Sequence, residues 1–203
     1  MNKVNFENRE ITPSKIVCVG RNYVEHIREL GNEIPRNMVL FMKPNSAISD
    51  VLFSGKDEPI HFEGEICFLN EKGRFSAVGF GLDMTKRELQ NKLKSKGLPW
   101  ERAKAFDGSA LFSKFVEISE ISQDLSVELE IDGEIVQHGS IRQMIYKPDQ
   151  VLVEIRTFIT LNDGDIVMTG TPEGVGMVNK GSVFVGRILE NGKVITSAEW
   201  KAE

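Results

Sequence analysis

Hydrophobic and polar residues alternate over several segments of the chain, most clearly in "IHFEGEICFLN", residues 60–70. A period of two residues predicts a β-strand whose side chains point alternately to two faces. One face is suited to a core and consists of Ile60, Phe62, Gly64, Ile66 and Phe68. The other face consists of His61, Glu63, Glu65, Cys67 and Leu69. Two neighbouring carboxylates among apolar residues repel each other and are costly to bury, so the pattern predicts that another group compensates their charge.

Other segments also have strand patterns. Four of them are residues 15–20, 38–44, 77–84 and 165–176. The last of these segments begins as a strand and continues into a loop rich in glycine and threonine. Two hairpins are predicted over residues 125–139 and 183–195, with turns at Asp132–Gly133 and Asn191–Gly192. Asp-Gly and Asn-Gly pairs favour the two-residue type I′ turn.

Two segments have the spacing of helices rather than strands. Residues 22–30 predict a short helix, with Asn22 as the N-cap, Glu25 three residues later and Gly31 as the stop. Residues 148–161 have apolar side chains three and four positions apart, which predicts a longer amphipathic helix.

The strongest helix signal is "TKRELQNKLKSKG", residues 85–97. Thr85 and Glu88 predict a capping box, and Gly97 predicts the helix end. Strands predominate over the whole chain, with short helices between them. The pattern therefore predicts a mainly β protein of the α+β class, a β-sandwich or barrel-like roll rather than repeated βαβ units.

Composition excludes several function classes. The chain has 203 residues, of which 40% are hydrophobic and 27% charged, with a net charge of −5. It therefore has no basic surface suited to nucleic acid or to an anionic membrane. No linker or repeat divides the chain, so one domain over residues 1–203 is predicted. Two cysteines within apolar runs, together with the lack of a recognisable signal peptide or membrane-spanning run, predict a cytoplasmic protein with free thiols.

The first candidate chemistry is a metal site. Glu63 and Glu65 share a strand face with their Cα atoms about 7 Å apart. A third carboxylate, Asp83, ends the predicted strand 77–84. Three carboxylates favour Mg²⁺, Mn²⁺ or Ca²⁺ over zinc. The alternative is an exposed acidic strand face without a metal, and His61 is a ligand, a neighbour or a surface residue in these two interpretations.

The second candidate is a catalytic pair. His26 and Glu29 are three residues apart on the predicted short helix and share a face. A carboxylate beside an imidazole fixes its tautomer and raises its basicity, as a general base requires. The alternative is a solvated helix end. His138 follows the predicted Asp-Gly hairpin and is expected to be structural or exposed.

Two weaker signals remain. The loop "TGTPEGVG" lacks the ending of a Walker loop, but its N–H groups and the hydroxyls of Thr169 and Thr171 are able to hold a carboxylate. A plain turn is the alternative. Lys104 has apolar neighbours, and a buried lysine requires an anion, although lysines are usually at the surface.

Six segments in a fixed order resemble the fumarylacetoacetate hydrolase family. They are "GRNYVEHIREL", "FMKPNSAI", the E-G-E of residues 63–65, "LDMTKRELQ", "KGLPWERAKAFDGSA" and "GDIVMTGTPEGVG". The similarity is greatest to the small single-domain branch that includes acylpyruvate hydrolases, oxaloacetate decarboxylases and oxaloacetate tautomerases. It extends from about Pro13 to near the C-terminus.

The resemblance implies a mixed β-sandwich roll, a homodimer and a divalent ion, Mg²⁺ or Mn²⁺, at the mouth of the roll. The positions that match the family's metal ligands are Glu63, Glu65 and Asp83. The positions that match its catalytic residues are His26 and Glu29, on a lid helix, and Lys104. The positions that match its substrate contacts are Arg87, Gln90 and Thr171.

The activity that the resemblance implies is chemistry on small 2-oxo acids through a metal-bound enolate. Three reactions share that intermediate: hydrolysis of the C–C bond of acylpyruvates, decarboxylation of oxaloacetate and tautomerisation of oxaloacetate. An alternative within the same fold is an isomerase or decarboxylase of 2-hydroxyhepta-2,4-diene-1,7-dioate from aromatic catabolism. A non-enzymatic metal-binding scaffold is a further alternative, but it leaves His26 and Glu29 without a role.

Overall fold

The computed structural model describes residues 1–31, 35–55 and 58–203. The strands in the first half of the chain are β1 (Val4–Phe6), β2 (Arg9–Ile11), β3 (Lys15–Gly20), β4 (Val39–Pro44), β5 (His61–Phe62), β6 (Gly64–Glu71) and β7 (Arg74–Asp83). Those in the second half are β8 (Ala110–Phe112), β9 (Val116–Glu117), β10 (Leu125–Ile131), β11 (Glu134–Ser140), β12 (Ile166–Met168), β13 (Gly176–Met177), β14 (Val183–Glu190) and β15 (Lys193–Lys201). The α-helices are α1 (Val24–Glu29), α2 (Arg87–Ser95), α3 (Glu101–Lys104) and α4 (Pro148–Arg156).

Two sheets form the body of the molecule. One has seven strands in the order β4-β3-β12-β6-β7-β8, with β9 also paired to β7. It is mixed, because β12 runs parallel to β3 and antiparallel to β6. The other is antiparallel, in the order β11-β10-β14-β15. The predicted class, a mainly β mixed sandwich roll with short helices, is confirmed.

The main core lies between the two sheets. Phe80 of β7 approaches Gly186 of β14 so closely that a Cβ at Gly186 would lie 2.2 Å from its ring. Phe80 also packs against Trp200, and Phe62 packs edge-on against Phe184 with ring centroids 5.4 Å apart. The predicted core face of residues 60–70 supplies this layer.

The opposite face of β6 is buried as well. Cys67 and Leu69 pack there with Cys18 and Met168 in a second apolar cluster. Glu65 lies on the same face and is buried too. The two cysteines are free thiols, as predicted. The carboxylates at this face are therefore inside the protein, which excludes the exposed acidic strand as an interpretation.

Both predicted hairpins are confirmed. Asp132 and Gly133 have φ values of 52° and 90°, and Asn191 and Gly192 have φ values of 50° and 74°. Two successive positive φ values define the type I′ turn, which glycine and asparagine adopt most readily. Within the described residues, no helix is long and apolar enough to cross a membrane.

The helices are shorter than predicted, and two predicted N-caps are wrong. The side chain of Asn22 does not cap α1; it bonds to the backbone of Tyr146 and Thr169 instead. Thr85 does not cap α2, because its hydroxyl accepts a hydrogen bond from Lys104 and donates to the carbonyl of Asp83. Both polar side chains serve tertiary contacts that local sequence does not show.

The glycines predicted to end α1 and α2 do follow those helices, but the predicted end of α4 is wrong. Gly31 and Gly97 follow α1 and α2 with φ near +61°, as predicted. Helix α4 ends at Arg156 rather than at residue 161. The chain leaves the helix there because the carbonyl of Asn162 and the N–H of Gly164 bond to Asn70 before β12 begins.

Candidate active site

One cavity brings most of the predicted site residues together. It lies where α1, α2 and α3 meet strands β6 and β7. Eight of the nine predicted residues line it: His26, Glu63, Glu65, Asp83, Arg87, Gln90, Lys104 and Thr171. The ninth, Glu29, contacts His26. His26 and Thr171, which are 145 positions apart in the chain, therefore face one small space.

The pairing of β6 with β7 positions three carboxylates. Gly64 pairs with Leu82, and the N–H of Asp83 donates to the carbonyl of Glu63 at 2.9 Å. This register brings Asp83 beside the two glutamates, and a carboxylate oxygen from each residue lies within 4.8 Å of the others. All three side chains are buried. The predicted carboxylate cluster is thus present.

Three cations surround two of the carboxylates. Lys104 Nζ lies 2.8 Å from Glu63 Oε2 and 2.9 Å from Asp83 Oδ2. Lys43 Nζ lies 2.9 Å from Asp83 Oδ1, and the guanidinium of Arg87 contacts Glu63. Lys104 is thus a buried lysine with anionic partners, in agreement with the prediction from its apolar neighbours.

The surroundings shift the pKa values of the cluster residues in different directions. Burial raises the pKa of Glu63, but Lys104 and Arg87 outweigh it and hold that pKa well below its usual range. Burial, followed by repulsion from Asp83 and Glu63, raises the pKa of Glu65 well above its usual range. Burial lowers the pKa of Lys104, but Asp83 and Glu63 outweigh it and raise that pKa above its usual value.

The chemistry of the donor set fits a divalent cation. Three buried carboxylates supply hard oxygen ligands, which Mg²⁺ and Mn²⁺ prefer and Ca²⁺ also accepts. Asp83 Oδ1 lies near Lys43 but accepts no well-directed hydrogen bond from the described residues. Its lone pairs are therefore available to a metal ion. Positive charge near Glu65 would relieve the repulsion that raises its pKa. Glu63, Glu65 and Asp83 therefore suit an ion that binds to all three.

His26 is oriented by a short relay. Its Nδ1 lies 3.1 Å from Glu29 Oε2, and Glu29 Oε1 accepts a hydrogen bond from the N–H of Gly174 at 3.0 Å. Gly174 has a φ of 94°, and a Cβ there would lie 2.0 Å from the carbonyl oxygen of Val136. The glycine is thus required for the loop to reach Glu29. His26 is buried, whereas Glu29 is about one-third exposed.

The glycine- and threonine-rich loop supports the carboxylates from the other side. The N–H of Gly170 donates to Glu65 Oε2 at 2.7 Å. The hydroxyls of Thr169 and Thr171 donate to the backbone carbonyls of Ile66 and Gly64. The loop therefore holds a carboxylate of the protein itself through its backbone, and the threonine hydroxyls attach it to β6.

Several residues at or beside the cavity were not predicted from the sequence, and one of them, Lys43, contacts Asp83 from outside the lining. Lys43 is fully buried in the apolar strand β4, and a lysine within such a run was an available signal. Arg21, Phe41, Lys94 and Trp100 line the cavity. Their local sequence has no such signal. Arg21 follows β3, which is separated from β6 by β12, so the proximity of Arg21 to the carboxylates depends on the order of the sheet.

Replacing Lys43 with methionine is expected to lower the free energy of unfolding of the metal-free protein by about 3–5 kcal/mol, because the variant leaves Asp83 buried with less compensating charge. Urea denaturation measures this difference. The matched control is Lys92→Met on the exposed face of α2, expected to change stability by less than about 0.5 kcal/mol. Equal effects in the two variants would contradict the assigned role of Lys43.

Comparisons with known proteins agree with this geometry. Residues 15–197 match the model of the fumarylacetoacetate (FAA) hydrolase C-terminal family. An oxaloacetate tautomerase of Escherichia coli is 38% identical, over 83% of this chain and 85% of that protein. A mitochondrial oxaloacetate decarboxylase of Dictyostelium discoideum is 37% identical, over 85% of this chain and 88% of that protein.

A solved structure is similar over the whole chain. It is a fumarylpyruvate hydrolase from Pseudomonas aeruginosa in complex with Mn²⁺ and pyruvate, with a TM-score of 0.87 and 30% identity. The likeness covers 100% of this chain and 96% of that one. The family model, the relatives and the solved structure all indicate the same family. The chain belongs to the fumarylacetoacetate hydrolase family.

Proposed function

We propose that this chain is a divalent-metal-dependent enzyme that acts on small 2-oxo dicarboxylic acids, with tautomerisation of oxaloacetate as its leading reaction. The observation that carries the proposal is that a buried, oriented histidine and three buried carboxylates line one cavity. The similarity to oxaloacetate tautomerases supports the choice of substrate.

The carboxylate cluster is proposed to hold the ion. Glu63, Glu65 and Asp83 would bind Mg²⁺ or Mn²⁺, which supplies a Lewis acid that polarises a 2-oxo group. Mn²⁺ in the similar fumarylpyruvate hydrolase supports this choice of metal. Lys104 and Arg87 both contact Glu63 and would stabilise negative charge that develops on the substrate's 2-oxo oxygen.

His26 is proposed to move the proton. Its Nδ1 is engaged by Glu29, which leaves Nε2 for the substrate. In the keto-to-enol direction, His26 takes a proton from C3 of oxaloacetate, and the electron pair of that C–H bond forms the C2–C3 double bond. A proton is then delivered to the 2-oxo oxygen, so the substrate's composition is unchanged. Glu29 stabilises the imidazolium that exists between the two transfers.

A second candidate reaction is hydrolysis of an acylpyruvate. The likeness to a fumarylpyruvate hydrolase favours it. The same His26–Glu29 pair would activate a water molecule to attack the distal carbonyl carbon, and the C–C bond would then break. Decarboxylation of oxaloacetate is a third candidate, favoured by the relative from Dictyostelium discoideum. It needs no activated water.

The test is a substrate panel assayed with Mn²⁺ or Mg²⁺ after removal of metals by a chelator. Oxaloacetate tautomerisation is followed by ultraviolet absorbance, and the panel adds oxaloacetate decarboxylation, acylpyruvates and 2-hydroxyhepta-2,4-diene-1,7-dioate. We expect tautomerisation to have the highest kcat/KM and to require the ion. Activity that is confined to the dienoate, or that survives without metal, would contradict the proposal.

Replacing Glu29 with glutamine is expected to lower kcat/KM for tautomerisation and for acylpyruvate hydrolysis by roughly 10²-fold, because both reactions need a basic His26. Decarboxylation should fall less, since it needs neither a proton removed from C3 nor an activated water. The control is Glu25→Gln on the same helix, whose exposed carboxylate pairs with Arg28. Equal losses on all three reactions would show that Glu29 does not act through proton transfer.

A further inference from the structure

The outer part of the cavity contains two cations that the proposed chemistry does not use. Arg21 follows strand β3, and Lys94 lies near the end of helix α2. Both line the cavity with the apolar side chains of Leu30, Phe41 and Trp100. Both are half-buried. Two cations with apolar neighbours form a polar end to the cavity, separate from the carboxylate cluster.

Helix α2 arranges its cavity residues in a row. Arg87, Gln90 and Lys94 are spaced by three and four positions, so they share one helix face. The inner end of the row is attached to the cluster, because Arg87 contacts Glu63 and donates to Gln90 Oε1 at 2.8 Å. Lys94 lies two turns further along, about 10 Å from Arg87 along the helix axis. The row therefore leads away from the carboxylates toward the second cation pair.

The backbone holds Arg21 in a conformation that side chains disfavour. Its φ is 57°, in the left-handed region. The next residue, Asn22, is held by hydrogen bonds to Thr169 O at 2.8 Å and to the backbone of Tyr146. Gly170 packs so closely that a Cβ there would lie 2.8 Å from Asn22 Cβ. Such over-determined backbone conformations cluster at binding and catalytic sites.

The charges at this end repel one another. Burial, then Arg21, then Arg87 lower the pKa of Lys94 below its usual value. No described carboxylate lies within ion-pair distance of the Arg21 guanidinium. Negative charge from a bound ligand would relieve the repulsion between Arg21 and Lys94.

We propose that Arg21 and Lys94 bind the second carboxylate of a 2-oxo dicarboxylic acid, at the end of the cavity away from the metal-binding carboxylates. The inference rests on the proposed function, since the first carboxylate and the 2-oxo group would lie at the inner end. A guanidinium binds a carboxylate through two parallel hydrogen bonds, and an ammonium adds a third donor. The apolar walls strengthen these bonds by excluding water.

The experiment compares two acids of equal length that differ only in the distal group. Isothermal titration calorimetry measures binding of 2-oxoglutarate and of 2-oxopentanoate to the Mn²⁺-loaded protein. The variants are Arg21→Gln and Lys94→Met, and the matched control is Lys92→Met on the exposed face of α2. Mn²⁺ affinity of each variant shows whether the inner site is intact.

We expect the wild-type protein to bind the diacid more tightly than the monoacid by about 10-fold to 100-fold, the scale of hydrogen bonds to a charged group. Each of the two variants should lose most of this preference with unchanged monoacid binding, and Lys92→Met should keep it. Equal affinity of the wild-type protein for the two acids would overturn the distal site and leave the proposed function standing. Failure to bind either acid, together with no turnover of oxaloacetate, would overturn both.

Discussion

Replacing His26 with alanine is expected to lower kcat/KM for oxaloacetate tautomerisation by about 10²–10⁴-fold, the usual contribution of a general base. The residue is buried at the cavity, and its Nδ1 is held by Glu29. It lies on α1 and is not part of the carboxylate cluster, so Mn²⁺ affinity should be unchanged. Steady-state kinetics and calorimetry on the same preparation measure the two quantities.

The control for this variant is His138→Ala. His138 lies on β11 with an exposed side chain, and its loss should leave both quantities unchanged. If the His26 variant loses Mn²⁺ affinity together with activity, His26 acts as a metal ligand and the proposed division of roles is wrong.

Replacing Lys104 with methionine is expected to lower kcat for every reaction of the protein by roughly 10²-fold or more at saturating metal, the scale of a lost electrostatic contact. All three candidate reactions build negative charge on the 2-oxo oxygen or the adjacent carbon. Lys104 lies within 2.9 Å of both Glu63 and Asp83, at the inner end of the cavity. Kinetics with oxaloacetate and an acylpyruvate measure the effect on each reaction.

A second readout separates this role from a purely structural one. Without Lys104, Glu63 and Asp83 lose a shared positive charge, so Mn²⁺ should raise the melting temperature of the variant more than that of the wild-type protein. Arg102→Met is the matched control, because Arg102 lies on the same helix with an exposed side chain. Unchanged kcat in the metal-saturated Lys104 variant would contradict its role in charge stabilisation.

Local sequence predicted the elements better than their ends. The hairpin turns at Asp132–Gly133 and Asn191–Gly192 depend on the backbone preferences of two residues each, which the sequence states directly. The caps expected from Asn22 and Thr85 were wrong for a different reason. Each side chain bonds to a distant part of the chain, and such bonds compete with capping in a way that no local pattern shows.

Sequence alone could pair those site residues that lie on the same strand or on the same helix. Glu63 and Glu65 share a strand face, and His26 and Glu29 share a helix face, so their spacing alone pairs them. Asp83 was a candidate because it ends the predicted strand 77–84, but its proximity to the two glutamates depends on the register of β7 against β6.

The positions of two other cations near the site depend on the order of strands in the seven-stranded sheet. Lys43 is on β4 and reaches Asp83 on β7, although three strands lie between them in the sheet. Arg21 enters the cavity through a left-handed backbone conformation that the sequence "GRNY" does not reveal. Tertiary arrangement, rather than residue type, brings these two cations to the site.

The most direct test of the account is calorimetric titration of the metal-free protein with Mn²⁺. We predict one ion per chain, and affinity at least ~10-fold weaker in Glu65→Gln and in Asp83→Asn, since even residues that only support a ligand contribute that much. Glu71→Gln, at the other end of β6, should bind as the wild-type protein does. Unchanged affinity in both cluster variants, or no binding by the wild-type protein, would contradict the metal site on which the proposed chemistry depends.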